Sequence, residues 1–65
     1  MLDKLKIGVK NRLGYDYVAD LGCDMIDDEN YTPDQLKKVC EDVGGMDECE
    51  IADVYETWVD RVKFK

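Results

Sequence analysis

The chain contains no histidine and no serine. A single copy therefore cannot assemble a Ser-His-Asp triad or a Cys-His pair. General acid–base chemistry would fall to carboxylates, and with 16 acids among 65 residues the closeness of two carboxylates singles out no reacting pair. GxGxxG, a phosphate-cradling glycine loop and HExxH are also missing. A pocket of several hundred Å3 is hard to house in so short a chain. These absences predict a non-enzymatic protein that works without a cofactor.

Long apolar runs are lacking too. No stretch approaches the roughly 18 residues that a membrane span needs. Met1-Leu2-Asp3-Lys4 is too polar to begin a signal peptide. The expectation is a soluble, cytoplasmic protein with no membrane partner. Cysteine is present three times, as Cys23, Cys40 and Cys49, an odd number with no CxxC pair. Buried free thiols are the expectation. A Cys40–Cys49 bridge across Gly44-Gly45 would be feasible if two helices met there, but an intracellular site argues against it. Three scattered cysteines without histidine fit no zinc spacing. The cluster Asp20, Asp24, Asp27, Asp28 and Asn30 fails the EF-hand register, since from Asp20 the sixth position is Met25 rather than glycine and the twelfth is Tyr31 rather than glutamate. No metal is expected.

Against these gaps stands a composition suited to folding. Hydrophobic residues make up 45%, with one tryptophan and four tyrosines, which argues against disorder despite the charge. Residues 1–65 form one acidic domain whose core must be small. The net charge of −7 is unevenly placed. Lys4, Lys6, Lys10 and Arg12 make the start basic, and Arg61, Lys63 and Lys65 do the same for the end. Between residues 13 and 36 there are seven acids and no base. Such a surface repels nucleic acid and membranes and attracts basic protein surfaces.

The apolar spacing predicts an all-α fold, a small bundle of three to four short helices. Leu2, Leu5, Val9 and Leu13 share one helical face, with Gly14 as a stop and Ile7 pointing away. The alternation of Leu5, Ile7 and Val9 with polar neighbours leaves a strand open as the alternative, pairing with residues 61–64 in an α+β fold. A second helix over 15–28 has Val18, Leu21 and Met25 inside, flanked by Tyr15 and Ile26. Gly22 marks either a close helix approach or an irregularity. The acids Asp27-Asp28-Glu29 at its C-terminal end oppose the helix dipole and predict fraying.

The third helix has the clearest start: Thr32 as N-cap, Pro33 at the first position, and Gln35 completing a capping box. Leu36, Val39, Cys40 and Val43 form its inner stripe, and Lys37, Lys38, Glu41 and Asp42 its outer face. Gly44-Gly45 ends it. Asp47 with Glu50 opens a fourth helix, in which Ile51, Val54, Tyr55, Trp58, Val59 and Val62 fall within an arc of roughly 140°. The third and fourth helices should form an antiparallel hairpin, with Trp58 in the core.

Asp16, Asp20, Asp24 and Asp27 then form a column on the outer face of the second helix, spaced about 6 Å per four residues. Like charges at i,i+4 oppose the helix by only about 0.2–0.5 kcal/mol per pair, so the column is tolerable as a solvated face. Its composition is more telling. Solvated faces usually mix Glu with Lys, whereas this column is all Asp, a poor helix former. Short carboxylates at this spacing are comparable to phosphates along a nucleic-acid strand and could occupy the basic groove of a nucleic-acid-binding protein. In size and charge the chain resembles phage-encoded inhibitors, very small acidic helical proteins that mimic DNA or cap a host protein.

Two functions are expected from these patterns. The first is a non-enzymatic inhibitor or regulator of a basic nucleic-acid-handling partner by charge mimicry. Its contacts would be Asp16, Asp20, Asp24, Asp27 and Asp28, with Asp53, Glu56 and Asp60 as a second row, and it would not bind nucleic acid directly. The second is a helical interaction module (an adaptor, an antitoxin-like protein or a homodimer subunit) that docks through its apolar stripe, Trp58 included.

Overall fold

The structure, a computed structural model, describes residues 2–64. Four helices follow one another: α1 Leu2–Lys10, α2 Tyr15–Glu29, α3 Pro33–Val43 and α4 Glu48–Lys63. Among the described residues there is no strand, so the fold is all-α and the α+β alternative is set aside. Residues 61–63 lie inside α4.

α1 buries Leu5, Gly8 and Val9, and Ile7 points to solvent as its spacing predicts. The helix stops earlier than expected. Arg12 takes a left-handed conformation (φ 55°), so Leu13 lies outside the helix and is exposed rather than buried. Gly14 does not end α1 but caps the start of α2, with no side-chain hydrogen bond at that cap.

α2 is rotated from the expected setting. Val18 and Met25 are buried as expected, but Ala19, Gly22 and Ile26 join them and Leu21 is only half-buried. The cause is α4. The Trp58 indole lies against Gly22, so close that a Cβ there would come within 2.1 Å of its Nε1. Its Nε1–H donates to the Ala19 carbonyl at 3.1 Å. A fully buried indole thus has its polar atom satisfied, by a backbone carbonyl that the close approach at Gly22 brings within reach. Gly22 marks a close helix approach, and α2 stays regular through it.

α3 and α4 form the antiparallel hairpin. The Thr32 box closes in both directions: Gln35 N–H donates to Thr32 Oγ1 at 3.2 Å and Thr32 N–H to Gln35 Oε1 at 2.9 Å. Asp47 Oδ1 accepts from Glu50 N–H at 2.9 Å at the start of α4. In the turn, Gly45 has φ +97°, and a Cβ there would come within 2.5 Å of the Val9 carbonyl oxygen, so glycine also lets α1 close over the hairpin. Leu36, Cys40, Ile51, Val54 and Trp58 complete one core with α1 and α2. All three cysteines are free, with Cys40 buried, Cys23 half-buried and Cys49 exposed, so no Cys40–Cys49 bridge forms.

Two expectations about outer faces need correction. Val59 and Val62 sit on the expected inner arc of α4, yet they are 37% and 46% exposed. On α4 the rest of the chain covers only Ile51, Val54 and Trp58 completely or nearly so. Lys37, expected to face outward, is half-buried with its ammonium 5.0 Å from the centre of the Tyr55 ring.

Candidate acidic binding face

Packing of Val18, Gly22 and Met25 inward turns the opposite side of α2 to solvent. Asp16, Asp20, Asp24 and Asp28 are all exposed there. Asp27 is set apart from them. It is half-buried and ion-paired with Arg61 of α4. Arg61 Nε donates to the two Asp27 oxygens at 3.2 and 3.0 Å, and Nη2 donates to Oδ2. Asp27 holds the Arg61 guanidinium above its ordinary pKa, first through the hydrogen bond and then through its charge.

Arg61 also answers the expected fraying of α2. That helix has no base in its last turn, where the carbonyl dipoles and Asp27-Asp28-Glu29 concentrate negative charge. A cation supplied from α4 offsets it, and the helix continues through Glu29 to a left-handed Asn30, whose N–H bonds back to the Met25 carbonyl. Burial pushes the neighbouring Cys23 thiol up, with Arg61 pulling the other way. Near the start of α2, the Tyr15 hydroxyl and Thr57 Oγ1 share a short hydrogen bond. The α2–α4 seam is thus closed by a hydroxyl pair at one end and an ion pair at the other.

On α4, Asp53, Glu56 and Asp60 are exposed, on the side away from Trp58. The two acidic rows lie on adjacent helices that run in the same sense, as the pairs Tyr15–Thr57, Ala19–Trp58 and Asp27–Arg61 require. Among the described residues, no ion pair joins the basic N-terminal segment to them. Lys4, Lys6, Lys10 and Arg12 are exposed, and among the described residues none lies within 4 Å of an acid. Among the described residues, no three His, Cys, Asp or Glu side chains converge as metal ligands would, and no helix is long and apolar enough to cross a membrane.

Sequence reasoning missed the role of Arg61, which it read only as part of the basic end of the chain and of the alternative strand. A base at the end of one helix and an unanswered acidic end on another are a legible pair only once the two helices are known to run side by side. It also missed the trough left open between α3 and α4. Tyr55 spans that trough, its hydroxyl donating to Asp34 Oδ1 at 2.8 Å. Asp34 pushes the Tyr55 phenol up, by accepting that bond and by its charge. Six apolar positions on α4, where the core covers three, are the signal that could have revealed it.

Comparison with known proteins adds no relative: no family model, curated protein or solved structure matches the chain.

Proposed function

We propose that this chain is a non-enzymatic acidic binding protein that inhibits or regulates a basic, nucleic-acid-handling partner by presenting carboxylates where the partner would bind phosphates. The observation that carries this reading is the exposed row Asp16, Asp20, Asp24 and Asp28 on a helix with no base of its own. Among the described residues, the cation paired with this helix is Arg61, and Asp27 holds it, while Asp16, Asp20, Asp24 and Asp28 stay exposed. Asp53, Glu56 and Asp60 extend the field on α4. Fixed carboxylates on a rigid helix can take the Lys and Arg contacts that a nucleic-acid backbone would take, and such contacts weaken steeply with salt.

Affinity capture from a lysate at low and at high salt, with identification by mass spectrometry, tests the reading. It predicts nucleic-acid-binding proteins that are released by salt and displaced by free duplex, and that are lost with Asp20→Lys plus Asp24→Lys while the helical spectrum is kept. A double variant that retains the same partner at the same affinity would refute it.

A specific observation favours a second mode of contact. Tyr15, Tyr17, Val59, Val62 and Phe64 are large side chains left exposed, Phe64 at 76%. Trp58, by contrast, is fully buried with its N–H bonded.

A further inference from the structure

The outer seam of the α3–α4 hairpin is not filled by this chain. A cavity of about 330 Å3 lies between Pro33 and Asp34 on α3 and Tyr55, Val59, Val62 and Lys63 on α4. A second, of about 290 Å3, lies further along, between Lys37 and Glu41 on α3 and Glu48, Ile51, Ala52 and Tyr55 on α4. Tyr55 lines both. The two meet at Tyr55 and together make a trough that follows α4 from Ile51 to Val62, about 16 Å at helical rise, or three turns. Its floor is apolar: Pro33 at one end, Tyr55 in the middle, Val59 and Val62 beside it. The floor is also fixed. The Tyr55 hydroxyl is tied to Asp34, and Lys37 lies over the ring.

The rims carry more acid than base. Asp34 and Glu41 on α3 and Glu48 on α4 line the two cavities with Lys37 and Lys63. Outside the lining, the exposed Glu56 and Asp60 follow on α4 and the exposed Lys38 on α3. We propose that this trough is the docking site of a basic amphipathic helix of about three turns belonging to the partner protein. The helix would set apolar side chains at i, i+3, i+4 and i+7 on Tyr55, Val59 and Val62, with Lys and Arg along its flanks against the acidic rims. A second copy of this chain is disfavoured as the occupant, because it would bring a like-charged rim and a net charge of −7 to the same place. The inference rests on the functional reading only in taking the partner to be basic. It places the apolar part of the contact on the hairpin, while the α2 row supplies long-range charge.

The test uses two synthetic 14-residue peptides of leucine and lysine. One has Leu at i, i+3, i+4 and i+7, and the other has the same composition shuffled to break that period. Wild-type protein should bind the periodic peptide at least tenfold more tightly, with amide shifts centred on Tyr55, Val59 and Val62. V59D/V62D replaces two exposed side chains and makes the protein more acidic. It should nevertheless lose at least tenfold in affinity for the periodic peptide, the opposite of what charge attraction alone gives. The shift map on wild-type protein decides the matter even if that variant fails to fold. Equal affinity for the two peptides, shifts confined to Asp16, Asp20 and Asp24, or no binding of the periodic peptide would overturn the proposal. So would a wild-type dimer that V59D/V62D dissociates, since the occupant would then be a second copy. The D20K/D24K pair keeps the two readings apart. Its loss of a captured partner tests the α2 row, and its retention of the periodic peptide within about threefold leaves the trough standing.

Discussion

The two halves of this molecule reach helical structure by different routes. The α3–α4 hairpin is specified locally: a reciprocal capping box at Thr32, proline at the first position, an Asp47 cap and a glycine turn between them. The α1–α2 half has little of this. Arg12 is held left-handed, Gly14 offers no side-chain cap, and α2 carries like charges along one face and at its C-terminal end. What holds α2 comes from α4: the indole against Gly22, the bond from Trp58 to the Ala19 carbonyl, and Arg61 on Asp27. The hairpin is a scaffold that can stand largely on its own signals, and α2 is an acidic element docked onto it. For a charge-presenting protein this division is useful, since α2 can carry unfavourable charge because its stability is supplied elsewhere.

The comparison breaks most completely at Trp58. Trp58→Ala removes the contact common to both halves and strips the Ala19 carbonyl of its donor; the expected loss is about 3–5 kcal/mol. A domain of this length has roughly 3–10 kcal/mol in total, so thermal or urea unfolding should show the variant stripped of about a third or more of its stability. A cooperative transition within about 1 kcal/mol of wild type would contradict the central place given to the indole.

Gly22→Ala is the next largest. Helix propensity alone would favour alanine by about 1 kcal/mol. Overpacking against the indole should reverse the sign, for a net destabilisation of about 1–3 kcal/mol. Urea denaturation reads the sign directly, and stabilisation would mean that Trp58 does not sit where described.

Thr32→Ala probes the local route instead. Loss of the cap should cost about 1 kcal/mol. The loss should appear in hydrogen exchange first at the start of α3, leaving α2 amides least affected. If α2 amides accelerate as much as those of α3, the halves are not separable in the way described.

The smallest effects are read by the native thiols. Exposed Cys49 should be alkylated fastest, Cys23 next and Cys40 slowest. Burial pushes the Cys40 thiol up to about 11, so the fold favours the neutral form. The stability this contributes is complete below pH 9 and is lost as the pH rises from 9 towards 11. Arg61→Gln removes a charge that lowers the Cys23 thiol, yet it should speed Cys23 labelling, because local opening of the α2 end outweighs that loss, without changing Cys40. Equal acceleration at both thiols would indicate global rather than local loosening.

The same division explains what the sequence discloses. Thr32, Gln35, Asp47 and the glycine turn are short-range signals, and α3 and α4 are read from them almost to the residue. α2 is recognisable from its period, but its rotation is not. Alanine and glycine carry little hydrophobic signal, and only the size of Trp58 on another helix turns Ala19 and Gly22 inward. The outward direction of Asp16, Asp20 and Asp24 survives that rotation because the column is broad. Asp27 does not, because pairing with Arg61 depends on which helices are neighbours. The trough at Tyr55, Val59 and Val62 was legible as an apolar stripe, but whether a stripe is covered depends on how many helices the chain has left to cover it.

The most direct test of the account is the salt dependence of partner binding by wild type and D20K/D24K. Affinity for the captured partner is measured by titration at stepwise salt concentrations, with helicity checked in parallel. The account predicts a steep linear fall of log affinity with log salt for wild type, and a weaker, distinctly shallower line for the double variant at unchanged helicity. Two coincident lines would contradict it, because the exposed aspartate row of α2 would then contribute nothing to recognition.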